Sequence, residues 1–198
     1  IELQDGERID QLFSTDVQII QNREVFSYSV DSVLLSRFPK MPAKKGLIVD
    51  LCSGNGAVGL FASTHTKAQI VQVELQERLA DMNRRSIELN GLEEQLTVIN
   101  DDLANLPQYD LRSKVDLMLC NPPYFKVDES SNLNESEHYL LARHEIATNL
   151  DNICQVAQQV LKSNGRLAMV HRPDRFLDIL DKLRIYKLAP KRIQFVYP

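Results

Sequence analysis

With 198 residues, 43% of them hydrophobic and 25% charged, the chain suits one globular domain with a single sizeable core. No apolar run approaches the roughly 18–20 residues of a membrane helix, and the acidic, polar residues 1–9 read as neither a secretory signal nor a transit peptide. A net charge of −4 excludes a general nucleic-acid coat but leaves room for RNA held on a local basic face.

The first 45 residues read as a flap too small to be a second domain. Residues 17–21 and 25–29 alternate like a small hairpin around Asn22-Arg23, and residues 31–38 predict a short helix leading into the core. From Gly46 the chain alternates short apolar runs with helical patterns, which predicts an α/β domain over 46–198 with a mostly parallel, twisted sheet and helices on both faces. Residues 46–50 (GLIVD) form its first parallel strand, and a glycine-containing turn at 52–56 opens a helix to about Thr66. Residues 69–74 (QIVQVE) are the next strand, and 76–90 a helix with apolar Leu79, Met82, Ile87 and Leu89, stopped by Asn90-Gly91. Strands follow at 96–100 and 115–120, the second running into Asn121-Pro122-Pro123-Tyr124. Residues 126–138 read as a polar loop, 147–161 as a helix with Ile153, Val156, Ala157 and Val160 on one face, and Asn164-Gly165 as a turn into a strand at 166–171. A helix at 175–183 and a sixth strand at 192–197 complete the expectation. Cys52, Cys120 and Cys154 are widely spaced with no CxxC pair, which argues against zinc and against a disulfide framework; they read as buried, reduced thiols of a cytoplasmic protein.

Gly54, Gly56 and Gly59 satisfy GxGxxG after a strand, with Glu74 ending the next strand 20 residues beyond Gly54, which taken alone is a dinucleotide fingerprint. Asp50 argues against that ligand, because a pyrophosphate on this loop would face a like charge. S-adenosylmethionine instead carries an ammonium and a sulfonium, which a nearby carboxylate favours. Cys52 and Ser53 also separate the strand from Gly54, giving the DxxxGxG spacing of methyltransferases. In this reading Gly54 and Gly56 admit the cofactor close to the backbone, Glu74 accepts from both ribose hydroxyls, and Asp101 or Asp102 accepts from the adenine amine, with Asp102 alternatively capping a helix at Leu103. The cofactor-binding candidates are thus Asp50, Cys52, Gly54, Gly56, Glu74, Leu75, Asp101, Asp102, Leu103 and Asn121.

Asn121-Pro122-Pro123-Tyr124 ends a parallel strand, where ligands of open α/β sheets bind. The adenine amine has its lone pair drawn into the ring. Two acceptors on its two hydrogens, the Asn121 side-chain oxygen and the Pro122 carbonyl, can draw the nitrogen towards tetrahedral geometry. In-line transfer then needs the nitrogen about 3–3.5 Å from the methyl carbon. Pro122 and Pro123 hold the backbone, and Tyr124 offers a stacking face for an extruded base, contributing roughly 1–3 kcal/mol.

Together these residues resemble the amino-methyltransferases with an NPPY motif, and in particular the bacterial methyltransferase small domain group. The likeness is carried by 26–35 (FSYSVDSVLL), VDLCSGNG, VELQERLADM, NPPYF and Ala142-Arg143-His144-Glu145, and spans about Asp16 to Tyr197. That group includes tRNA1(Val) (adenine-N6)-methyltransferases. The resemblance implies a class I, Rossmann-like methyltransferase acting on an adenine N6 amine in RNA, tRNA above all, with S-adenosylmethionine as cofactor and no metal or membrane. It implies that Asp50, Gly54, Glu74 and Asp102 hold cofactor while Asn121, Pro122, Pro123 and Tyr124 hold the amine. It also implies that residues 26–35 cover the cofactor, with Phe26 or Tyr28 near methionine or base, Phe125 as a second stacking face, and Arg143 and His144 on RNA phosphate. Lys182, Arg184, Lys187, Lys191 and Arg192 fit either a solvated face or an RNA patch. Such folds close with an antiparallel strand, so the domain is expected to lack its final one. The competing readings are a release-factor type protein glutamine methyltransferase and an rRNA guanine-N2 methyltransferase.

Overall fold

The computed structural model describes residues 1–23, 28–122 and 150–197. Five apolar strands form a parallel sheet in the order β5-β4-β3-β6-β7, built from β3 (Leu47–Leu51), β4 (Gln69–Glu74), β5 (Leu96–Asn100), β6 (Val115–Cys120) and β7 (Leu161–Met169). Because a parallel sheet is covered on both faces, its strands are apolar throughout. Ile48, Ile70, Leu117 and Leu119 face one layer, which holds α1 (Val30–Arg37), α2 (Ala57–Ser63) and α3 (Glu77–Leu89). Val49, Leu51, Val73 and Met118 face the other, where α4 (Leu150–Val160) presents Ile153, Val156 and Val160 beside the 3-10 turn Leu103–Gln108. A last helix, α5 (Phe176–Ile185), follows a 3-10 turn at Pro173–Arg175 and leans on α4 through Lys182, whose Nζ donates to Asp151 at 2.7 Å. No helix among the described residues is long and apolar enough to cross a membrane.

Four local expectations change. The hairpin exists, but β2 (Gln18–Asn22) pairs with a strand that precedes it, β1 (Glu7–Gln11), and Tyr28 and Ser29 lie in no strand. β1 reads ERIDQ, with one apolar residue, so it carried no alternating signal. Residues 192–197 form no strand: they join no backbone ladder, and Ile193, Phe195, Val196 and Tyr197 are all exposed. Phe195 instead meets the Phe176 ring edge-on, and the Arg192 guanidinium lies 3.9 Å over Phe38. Finally, Asn164-Gly165 does not precede β7 but interrupts it, as a bulge between the pairs Val115–Leu161 and Leu117–Arg166. Helix α2 also ends sooner, with Thr64 as its C-cap.

The hairpin is clamped to α3. Asn90 accepts from the Gln18 amide at 2.8 Å and donates to the Gln18 carbonyl at 2.7 Å, and the Ser86 hydroxyl accepts from the Ile20 amide at 3.0 Å. Arg85 donates two hydrogen bonds of 2.7 Å to the Glu7 carboxylate, whose side chain has no exposed surface, and a third to Asp81. Arg85→Ala is therefore expected to destabilise the protein by about 2 kcal/mol. The Arg85 hydrogen bond holds Glu7 below the usual carboxylate range. That stabilisation is full above the unfolded pKa of about 4.3 and is lost as pH falls through the lower folded value. Melting curves should show the gap between wild type and variant at pH 7 narrowing as pH falls below about 4.3; a gap that does not narrow with acid would refute the ion pair as its source.

Candidate cofactor and substrate site

The chain crosses from β3 into α2 through residues 52–56, and each residue of this loop has an assigned hold. The Ser53 amide donates to the Val73 carbonyl at 3.0 Å, and the Gly54 amide donates to Glu74 Oε2 at 2.8 Å. The Asn55 side chain donates to the Ile20 carbonyl of the flap at 3.0 Å. Cys52, Gly54 and Gly56 take left-handed φ of 57°, 56° and 91°. The Cys52 thiol sits against Cys120, which with burial pushes the Cys120 thiol well up, while burial pushes Cys154 up to about 11. The cysteines are free thiols, with Cys120 and Cys154 buried and Cys52 only partly so, which agrees with packing roles.

Gly56 is glycine for an internal reason that the expected cofactor contact does not supply. A Cβ there would lie 2.2 Å from Asn83 Oδ1, and one on Gly59 would lie 2.3 Å from Gln72 Oε1. Asn83 and Gln72 are fully buried; Gln72 Nε2 donates to Asn83 Oδ1 at 3.0 Å, and Asn83 Nδ2 donates to Ser53 Oγ at 3.3 Å. This amide brace behind the loop was missed in the sequence. Its signal was two polar residues in apolar patterns: Gln72 inside a buried strand, and Asn83 four residues after Leu79 on the apolar stripe of α3.

Two acids lie at the floor of the loop. Asp50 is 0% exposed, and neither carboxylate oxygen has a hydrogen-bond partner of ordinary geometry among the described residues; only the Gly59 amide is close enough to oppose desolvation. Burial, with the charge of Glu74 beside it, pushes its pKa well up. Glu74 is also buried, and burial raises it although the Gln76 and Gly54 amides, both at 2.8 Å, favour its charge. With the Leu75 amide also favouring its charge, the carboxylate still has acceptor capacity for a further donor. Two desolvated carboxylates with few donors beneath the loop favour a cation and repel a pyrophosphate.

At the end of β5, Asp101 spends its carboxylate on the Asp102 amide, Asn105 and the Tyr109 hydroxyl, at 2.7–2.9 Å. Asp102 caps the following turn through Oδ1 to the Ala104 amide at 2.9 Å, as anticipated, and its Oδ2 has no partner among the described residues. Among the described residues Asp102 is thus the less occupied acceptor of the pair. Leu103 is buried under it, and Leu75, 39% exposed beside Glu74, offers an apolar face between the two acidic ends.

The remaining piece arrives from β6. Leu51 is in register with Cys120, so half-buried Asn121 and buried Pro122 leave the sheet next to the strand that feeds the glycine loop, at the same carboxyl edge. Tyr28 meets the Phe61 ring edge-on at 5.7 Å, a packing contact between the flap and α2. Phe26, Pro123, Tyr124, Phe125, Arg143 and His144, the loop at 126–138 and the start of the helix expected at 147 lie outside the described residues.

Comparison with known proteins points the same way. The family model described as methyltransferase small domain matches residues 16–185. The tRNA1(Val) (adenine(37)-N6)-methyltransferase of Shewanella loihica is 27% identical over 164 residues, covering 79% of this chain and 65% of that protein. The enzyme of the same name from Aliivibrio fischeri is 30% identical over 143 residues, covering 72% and 58%. The chain thus spans less than two thirds of these relatives. Among solved structures, Pyrococcus horikoshii TYW2 superposes with TM-score 0.64 at 14% identity over 93% of this chain and 61% of that one. The precorrin-6y C5,15-methyltransferase of Geobacter metallireducens superposes with TM-score 0.60 at 12% identity, over 85% and 75%. At such identities the likeness is one of fold, the Rossmann-like fold of methyltransferases.

Proposed function

Because the chain belongs to the methyltransferase small domain family, we propose that it transfers a methyl group from S-adenosylmethionine to the exocyclic N6 amine of an adenine in RNA, with tRNA as that RNA. The observation that carries this reading is the register of β3 and β6, which starts the Asn-Pro-Pro turn beside the cation-seeking glycine loop. The relatives named for tRNA adenine methylation support the choice of substrate. An RNA substrate of this kind belongs in the cytoplasm.

S-adenosylmethionine, when bound, supplies a methyl carbon activated by its sulfonium. Asp50 and Glu74 favour its positive charge, Glu74 accepts from ribose, and Asp102 accepts from the adenine amine. Asn121 and the Pro122 carbonyl accept the two hydrogens of the target amine and so set its lone pair towards the methyl group. Tyr124 stacks on the extruded base. No strong base is required before transfer, because the amine loses its proton afterwards.

The test is incubation of the protein with labelled S-adenosylmethionine and either bulk tRNA or release factors, followed by nucleoside mass spectrometry. N6-methyladenosine is the expected product; label found only in protein would replace this reading with glutamine methylation.

Asp50→Asn separates cofactor binding from stability. A raised carboxylate pKa means the folded state holds its proton more tightly than the unfolded one, so stability falls as pH rises from the unfolded pKa through the raised value. The variant should melt higher than ligand-free wild type at pH 8, by an amount worth roughly 2 kcal/mol, and the advantage should shrink towards pH 4. It should also bind S-adenosylmethionine roughly tenfold or more weakly. Unchanged affinity would remove Asp50 from the cofactor site.

A further inference from the structure

The strand order separates charge across the sheet. One flank is built from residues 74–110, which supply the end of β4, α3 and β5 and carry nine Asp and Glu against three Arg. The opposite flank is built from residues 161–192, which supply β7 and α5 and carry nine Lys and Arg against three Asp. A chain with a net charge of −4 therefore has one strongly basic side, and it borders β6, the strand that carries Asn121.

Part of that basic charge is used internally. Lys162 pairs with Asp116, Lys182 with Asp151, Arg175 with Asp178, and Arg166 donates to the Lys40 carbonyl. The remainder faces solvent. Arg184, Lys187 and Lys191 are exposed with no acidic partner among the described residues, and Arg172 meets Asp174 only at 3.4 Å with both side chains more than half exposed. An exposed pair of that kind contributes about 0–1 kcal/mol and does not hold the guanidinium back from another anion. The upper end of the flank is adjacent to the site. The Val170 amide donates to the Cys120 carbonyl at 3.1 Å, so the His171-Arg172 turn leaves the sheet alongside Asn121 and Pro122.

Resting on the RNA reading above, we propose that the β7 flank, from Arg172 at the carboxyl edge down to Arg184, Lys187 and Lys191, is the surface on which the phosphate backbone of the RNA lies while one of its bases enters the Asn121 turn. The acidic β5 flank would repel the same backbone. Electrostatics alone then orients the substrate, with cations for phosphate on one side of the transfer point and carboxylates for the cofactor cation on the other.

Arg172→Ala, Arg184→Ala and Lys191→Ala combined in one protein test this surface by fluorescence anisotropy with bulk tRNA across a salt series. Loss of three phosphate contacts should weaken binding roughly 10-fold or more at low salt and flatten the log K against log salt slope by about 2–3. KM for tRNA should rise with kcat little changed, and the thermal shift given by S-adenosylmethionine should stay at the wild-type value. As a readout independent of variants, lysine acylation of the wild type with bulk tRNA bound should show protection at Lys187 and Lys191 and none at Lys44 and Lys45, which precede β3 at the opposite edge. A wild-type salt slope in the variant, or equal protection of all four lysines, overturns the surface while leaving RNA methylation intact. A wild type that neither binds nor methylates RNA overturns the function itself.

Discussion

Asn121→Ala is expected to lower kcat by roughly 10²–10³-fold while weakening S-adenosylmethionine binding by no more than a few-fold. Asn121 stands one residue beyond the last rung between β3 and β6, half-buried, with Pro122 buried behind it, so the carboxamide is mounted on the rigid centre of the sheet. In the proposed reaction it accepts from an amine whose lone pair is otherwise delocalised, and alanine would remove that acceptor while leaving the glycine loop in place. Single-turnover transfer and cofactor thermal shift, measured on the same protein, separate the two effects. Asn121→Asp keeps an acceptor in place and should retain more of the rate than alanine does. Wild-type turnover in the alanine variant would mean that the amine is held by something else.

Gly56→Ala should lower the melting temperature by about 6–12 °C and abolish cofactor binding, through a loss of roughly 3 kcal/mol. A non-glycine residue in a left-handed conformation costs about 1–2 kcal/mol, and Gly56 has φ 91°. The new methyl group would also overlap Asn83, at 2.2 Å from Oδ1 and 2.5 Å from Cγ. Asn83 has nowhere to go, since it is fully buried and bonded to both Gln72 and Ser53. Adding Asn83→Ala opens the space, so the double variant should be more stable than the two single effects summed, with a coupling of about 1–2 kcal/mol. Additive losses in that cycle would show that backbone strain alone makes Gly56 necessary.

The parallel strands at 69–74, 96–100 and 115–120 were legible because burial on both faces demands unbroken apolar runs, and their observed limits coincide with those runs. Asp50, Glu74 and the Asn121 turn were legible because each interrupts or ends such a run with a polar group whose position along one strand is set locally. The flap strand β1 was not, because ERIDQ is held by backbone pairing and by Arg85, which is 78 residues away from Glu7. Residues 192–197 show the converse: an alternating pattern makes a strand only where a ladder is available to receive it.

The sequence by itself determined the parallel α/β architecture, the glycine loop, the acids at the strand ends and the turn that follows Cys120, since all are local patterns. Tertiary structure alone decided that Asn83 and Gln72 brace the loop, that Asp101 carries more hydrogen bonds than Asp102 among the described residues, and that the basic residues of 161–192 share one flank opposite an acidic one. These depend on which strands become neighbours and which side chains already have partners. Hydrogen bonds and charges act through space over a few ångströms, and the order of residues along the chain does not specify those distances.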